Sequence, residues 1–265
     1  MTYREFTMLC IYSLAGILGL CVGSFLNVVI YRLPREMGLS KPGSHCAKCG
    51  YSLKWYDNIP VLSYLLLGGK CRKCKNKISP RYVLVEITNA ALWLLAVKMF
   101  WESSPVYACT VAVSCSALVC IFFIDLECML IYNRFTLLVA LGGAVGMIAP
   151  NSTAWQDRLI GMVAGGVVFL GLYFGAIAAL KQEGLGFGDV KYATAAGLLL
   201  GWQKLLLAVL LASVAGAVVI VVANRIADAQ KRKEYPFGPF LVAGTLIALF
   251  LGDSVISWYL GLLLR

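Results

Sequence analysis

Long apolar runs separated by short polar connections recur along nearly the whole chain. Candidate helices fall at 7–31, 82–100, 106–124, 132–149, 157–180, 189–201, 204–223 and 239–264. Most approach the roughly 20 residues a helix needs to cross a hydrocarbon core of about 30 Å. In that medium every backbone polar group must be satisfied within its own segment, which favours helices. The pattern therefore predicts an all-α polytopic membrane protein of about eight transmembrane helices. The segment 189–201 is short, and 239–264 contains Asp253, so the latter reads as one helix or as a shorter span followed by an interfacial one. The first run, from about Phe6 to Ile30, is too long for a cleavable signal peptide and lacks its basic start; it is expected to stay in the membrane. One polar stretch, 32–81, is large enough to be an insert. The organisation expected is a first helix at 1–31, a small insert at 32–81 and a membrane domain at 82–265, with no internal repeat.

Composition agrees. The 265 residues are 60% apolar and 14% charged, with a mean hydropathy of +0.82, values outside the range of soluble domains. The net charge of +10 does not call for nucleic acid, because most basic residues sit in the connections, where the positive-inside bias explains them. Residues 32–81 are rich in Lys and Arg against only Glu36 and Asp57, which assigns the insert to the cytoplasm. Alternation then puts 101–105, 150–156 and 202–203 outside, the basic segment with Arg225, Lys231, Arg232 and Lys233 inside, and both termini outside.

Of the ten cysteines, four form two pairs in the insert, Cys46-x-x-Cys49 and Cys71-x-x-Cys74; the other six are scattered through apolar stretches. A disulfide scaffold does not fit this arrangement. Two C-x-x-C turns at this separation predict one structural Zn²⁺ per chain, since four thiolates close a tetrahedral shell and leave no open position for catalysis. Gly50 suits a knuckle, where a left-handed residue is needed. In so small a loop the metal supplies much of the folding free energy. Two redox dithiols are the competing reading, and His45 is a possible substitute ligand.

Asp125 ends the apolar run 117–124 and Asp189 sits in Gly186-Phe-Gly188-Asp189-Val-Lys191. Parity places both at the cytoplasmic boundary. Carboxylates at membrane depth are costly unless they face a cavity or a partner. A pair that meets shares one proton, so one carboxylate activates water while the other protonates a scissile carbonyl. The glycines before Asp189 suit close approach of a substrate backbone. Equally, Asp189 suits an N-cap for a helix from Val190, and Asp125 an interfacial helix end. Glu86, Glu127 and Glu183 are placed comparably, and charge alone does not rank them.

The ordered motifs supply a ranking. Gly23-Ser-Phe-Leu-Asn-Val-Val-Ile-Tyr-Arg-Leu-Pro34, the two cysteine pairs, Asn58-Ile-Pro-Val-Leu-Ser-Tyr64, Ile78-Ser-x-Arg-Tyr82, Leu84-Val-Glu86, Asp125, Gly186-x-Gly-Asp189 with Lys191, and Pro236-Phe-Gly-Pro-Phe240 together resemble the type IV prepilin peptidase family over nearly the whole chain. The resemblance implies a bifunctional enzyme of the bacterial inner membrane. It would cleave the basic leader from prepilins or pseudopilins and then methylate the new amino terminus with S-adenosylmethionine. It makes Asp125 and Asp189 the catalytic pair, the second in the G-x-G-D motif shared with intramembrane aspartyl proteases such as presenilin, with Gly186, Gly188 and Lys191 as supporting residues. It also points to Asn27, Arg32 and Asn58, beside the insert, as contributors to the methyl-donor site, although no glycine-rich nucleotide loop is visible. Two departures stand out: Ile131-Tyr-Asn133 lacks the proline often found after the first aspartate, and Cys46-Ala-Lys-Cys49 lacks its usual proline. The alternative from another class is an ion-coupled transporter with a zinc-binding adaptor, which should show repeated halves and helices broken at the midplane.

Overall fold

The computed structural model describes residues 2–149, 153–181, 185–226 and 235–263. Glu183 and the basic residues 231–233 lie outside them. The described chain is helical, with only isolated bridges at His45–Ser52 and Lys70–Lys77. Its helices are α1 (Tyr3–Arg32), a short α2 (Leu62–Leu66), α3 (Arg81–Phe100), α4 (Pro105–Cys128), α5 (Asn133–Ile148), α6 (Trp155–Leu180), α7 (Phe187–Leu200), α8 (Trp202–Ile226) and α9 (Gly238–Leu263). All eight apolar segments expected from the sequence are helical. Six are long and apolar enough to cross a membrane. The other two, α5 with 16 residues and α7 with 14, rise only about 24 and 21 Å at 1.5 Å per residue, short of a hydrocarbon core of about 30 Å.

One expected helix end is corrected, and one of two alternatives is decided. α4 continues past Asp125 to Cys128, where Met129 turns left-handed at φ 54°; the run has no breaker before that point, so Asp125 lies inside the last turn rather than beyond it. α9 is continuous through Asp253, whose carboxylate accepts from Lys204 Nζ at 2.8 Å, a pairing that offsets the cost of an acid in an apolar helix. The missing proline near Ile131 has no effect on helix order, because α5 begins directly at Asn133.

The chain forms two compact units, Met1–Lys98 and Met99–Arg265. In the first, α1 and α3 meet where Gly19 and Gly23 lack side chains: an added Cβ would stand 2.7 Å from the Cα of Ala90 and of Glu86 respectively. Such small-residue contacts let membrane helices approach at backbone distance. Asn89 Nδ2 donates to Gly19 O at 2.7 Å across the same seam.

In the second unit, α7 is enclosed by glycine-bearing faces of α5 and α6. A Cβ on Gly161 would meet Gly197 O at 2.5 Å, one on Gly165 would meet Ala193 O at 2.5 Å, and one on Gly143 would meet Leu198 O at 2.6 Å. The carboxyl end of α7 is capped from outside the helix by Arg158, which is fully buried and donates to Leu198 O, Leu199 O and the Tyr107 hydroxyl. A cation at this end complements the helix dipole and satisfies carbonyls that have no partner within α7.

Candidate functional site

Asp125 on α4 and Asp189 on α7 are both buried acids. They are 5% and 8% exposed, and each lies within electrostatic range of the other. Asp189 is the third residue of α7, not its N-cap; that position belongs to Gly186. Its carboxylate turns back towards the Gly186 amide at the start of the helix and feels the charge of Asp125. Glu127, two residues beyond Asp125, is exposed, so burial separates the two acids.

Gly188 has a structural reason to lack a side chain: its Cβ would stand 3.0 Å from Ile131 Cβ in the α4–α5 connection. Lys191 is directed to Asn133 Oδ1 at 3.0 Å and lies over the Phe187 ring, tying α7 to the start of α5.

The residue that sequence reasoning passed over is Gly238. It opens α9, and its amide faces the Asp125 carboxylate. A Cβ there would lie 2.9 Å from Asp125 Cγ and closer still to Oδ2. Pro239 follows it in the first helical turn, where no amide donor is needed. The signal was present in Pro236-Phe-Gly-Pro-Phe240, but nothing in the sequence says which carboxylate this segment meets. Further along α9, Thr245 Oγ1 accepts from the Tyr192 hydroxyl at 2.8 Å. Tyr192 lies one turn beyond Asp189. α9 therefore contacts the helix of each aspartate and fixes their relative position.

In the first unit the four cysteines gather as expected: Cys46, Cys49, Cys71 and Cys74 have all Sγ atoms within 4.8 Å of one another, with Cys46–Cys74 at 3.8 Å and Cys49–Cys71 at 4.0 Å. A tetrahedral zinc with Zn–S bonds of about 2.3 Å needs sulfurs about 3.8 Å apart, so the donor set fits that ion. The two knuckles match. Gly50 N donates to Cys46 O and Lys75 N to Cys71 O, with Gly50 at φ 68° and Lys75 at φ 58°. The backbone amides of Cys49 and then Lys48 draw the Cys46 thiol down to about 6. At Cys74 the Asn76 amide pulls the same way, but burial and the neighbouring cysteines outweigh it and push that thiol up to about 11, so the clustered sulfurs share protons in the absence of an ion. His45 turns its Nδ1 to Gly43 O at 2.9 Å and is not among the clustered ligands. Asp57 braces the insert by accepting from Arg72 Nε at 2.7 Å and from the Tyr51 hydroxyl and Lys54 amide. Burial works to raise its pKa, but these donors outweigh it and hold the carboxyl below its ordinary value.

Beside the insert is a cavity of about 370 Å³, lined by Ser24, Phe25, Arg32, Leu39, Ser44 and Asn58 among others. Its size falls within the range of small-molecule sites, and it combines apolar walls with hydroxyl, amide and guanidinium groups. Arg32 shapes it by donating to Gly38 O at 3.0 Å and Leu39 O at 3.2 Å. Asn27 is placed differently from Arg32 and Asn58. It faces the α1–α3 seam, donates to Tyr82 O at 3.0 Å and is not among the cavity-lining residues.

A family model described as the type IV leader peptidase family matches residues 112–221, and one described as the bacterial peptidase A24 N-terminal domain matches residues 17–100. The chain is 35% identical to the prepilin leader peptidase/N-methyltransferase of Aeromonas salmonicida (strain A449), covering 96% of this chain and 95% of that protein. It is 36% identical to the protein of the same name in Aeromonas hydrophila, over 94% and 93% of the two chains. With the one from Pseudomonas aeruginosa the identity is 33%, over 92% and 91%. No solved structure gives a significant match.

Proposed function

Since the chain belongs to the type IV leader peptidase family, we propose that it cleaves prepilin leader peptides with Asp125 and Asp189 as the catalytic pair and methylates the new amino terminus in the unit that carries the cysteines. What supports the first half is that two buried carboxylates, from helices far apart in sequence, lie within range of one another's charge, with Asp125 facing the Gly238 amide. Two acids that feel one another's charge in a water-poor setting hold one proton between them. The ionised member takes a proton from water as that water attacks the scissile carbonyl, and the protonated member donates to the carbonyl oxygen. The Gly238 amide orients Asp125, and the Gly186 amide orients Asp189.

The substrate is a prepilin or pseudopilin whose basic leader precedes an apolar helix, and the reaction takes place at the cytoplasmic boundary of the inner membrane. The basic insert supports that orientation through the positive-inside bias. For the second half, the cavity bounded by Arg32 and Asn58 has the size and mixed lining that S-adenosylmethionine requires. When bound, that molecule supplies an electrophilic methyl group. The lining residues hold and orient it, with Arg32 keeping the loop at Gly38 and Leu39 in place. The cysteine cluster would hold a structural zinc that shapes the insert. A transporter is unsupported, because the matched families and relatives are peptidases.

Purified enzyme in lipid, given a prepilin and S-adenosylmethionine, is expected to remove the leader and add one methyl group to the product, both read by intact mass. Cleavage without the added methyl group would remove the second half of the proposal and leave the first.

Gly238→Ala should lower cleavage by at least about tenfold while the protein remains inserted, because the new methyl group displaces the Asp125 carboxylate. Gly171→Ala is the matched control, since nothing lies within 4 Å of a Cβ there. Equal cleavage rates for the two variants would show that Gly238 does not set the geometry of Asp125.

A further inference from the structure

The first unit holds a buried acid that leader cleavage does not use. Glu86 lies on α3 and is 7% exposed. Its Oε2 accepts the Val61 amide at 2.7 Å, and the Ser24 side chain lies within hydrogen-bonding reach of the carboxylate. Val61 is an unusual partner. It stands at φ 60°, ψ −50°, and Leu62 N donates back across it to Pro60 O at 2.5 Å, forming a three-residue turn of the strained hand. A β-branched side chain avoids this region, so the turn persists only where its surroundings hold it. Those surroundings are the cavity already described: Asn58 and Pro60 line it on one side of the turn, and Ser24 lines it from α1.

We infer that Glu86 is a positioning residue for methyl transfer. By holding the Val61 amide it locks the strained Pro60–Leu62 turn as a wall of the cavity, and by accepting from Ser24 it ties that wall to α1. This rests on the assignment of the cavity to the methyl donor. The need is for an acceptor at one place in a water-poor seam. An amide oxygen at the same position meets that need; a methyl group leaves the Val61 amide unsatisfied and frees the turn.

The test compares Glu86→Ala and Glu86→Gln in the full-length enzyme, with cleavage and methylation measured separately. Methylation of a precleaved pilin is followed over a range of S-adenosylmethionine concentrations. Glu86→Ala is expected to raise the KM for the methyl donor at least about tenfold with cleavage within about twofold of the parent, whereas Glu86→Gln keeps methyl-donor KM within about threefold. Equal loss in both variants would mean that the negative charge itself is needed and would overturn the positioning role. So would an unchanged KM in Glu86→Ala, or a parallel fall of cleavage and methylation, which is the mark of a merely structural residue. Val28→Trp, which fills the cavity from α1, tests the underlying assignment: undiminished binding of S-adenosylmethionine by that variant refutes the cavity itself, whatever the Glu86 variants do.

Discussion

Asp125→Asn and Asp189→Asn are each expected to reduce leader cleavage by about 10³-fold or more while leaving the protein inserted and the methylation of a precleaved pilin intact. The amide is nearly isosteric with the acid, so packing around α4 and α7 is kept; what is lost is the capacity to take up and release a proton. The dyad needs one carboxylate to activate water and the other to deliver a proton, and neither role passes to an amide. The double variant should be little worse than either single one, because the two residues act as a unit. Glu127→Gln provides the contrast: that side chain is exposed, and its loss should leave the cleavage rate within about twofold. Cleavage by either aspartate variant at the parent rate would sink the catalytic pair.

Loss of the zinc site is expected to have the second-largest effect. Cys71→Ser removes the most buried of the four ligands, at 4% exposure, and should abolish stoichiometric metal content. A small insert with little apolar core depends on the metal for folding free energy on the order of 10 kcal/mol. The insert should therefore become sensitive to protease between residues 36 and 80, and methylation should fail because Arg32 and Asn58 lose the frame that holds them about the cavity. Cleavage should fall much less, since Asp125, Asp189 and Gly238 all belong to the other compact unit. Metal analysis, limited proteolysis and the two activities on the same preparation decide the matter. A Cys71→Ser protein that keeps one zinc and a protease-resistant insert would contradict the Cys₄ assignment, and equal loss of both activities would contradict the separation of roles.

Much of this was legible in the chain. Apolar run lengths placed eight helices within a few residues at each end, six of them long enough to cross a membrane, because a membrane helix must be continuous and apolar for most of its length. The paired C-x-x-C spacing announced the cysteine cluster, since two tight turns bring four thiols together almost irrespective of the rest of the fold. The end of α4 near Asp125 and the continuity of α9 through Asp253 were less legible. In each case the outcome turned on a partner or a left-handed cap far from the hydropathy signal, Lys204 for Asp253 and Met129 for α4.

The sequence by itself determined the class of protein, which four cysteines would cluster and, through its ordered motifs, which two aspartates to consider. Only the tertiary structure brought them within range of one another's charge, set Gly238 against Asp125, turned Asn27 away from the cavity while Arg32 and Asn58 border it, and placed Glu86 against a strained turn beside it. The division has a physical cause. Hydropathy and short spacings report what a segment needs from its solvent and its near neighbours. The approach of α4, α7 and α9 depends instead on where glycines allow backbones to touch and where buried polar groups find partners, and those contacts join residues with no fixed separation along the chain.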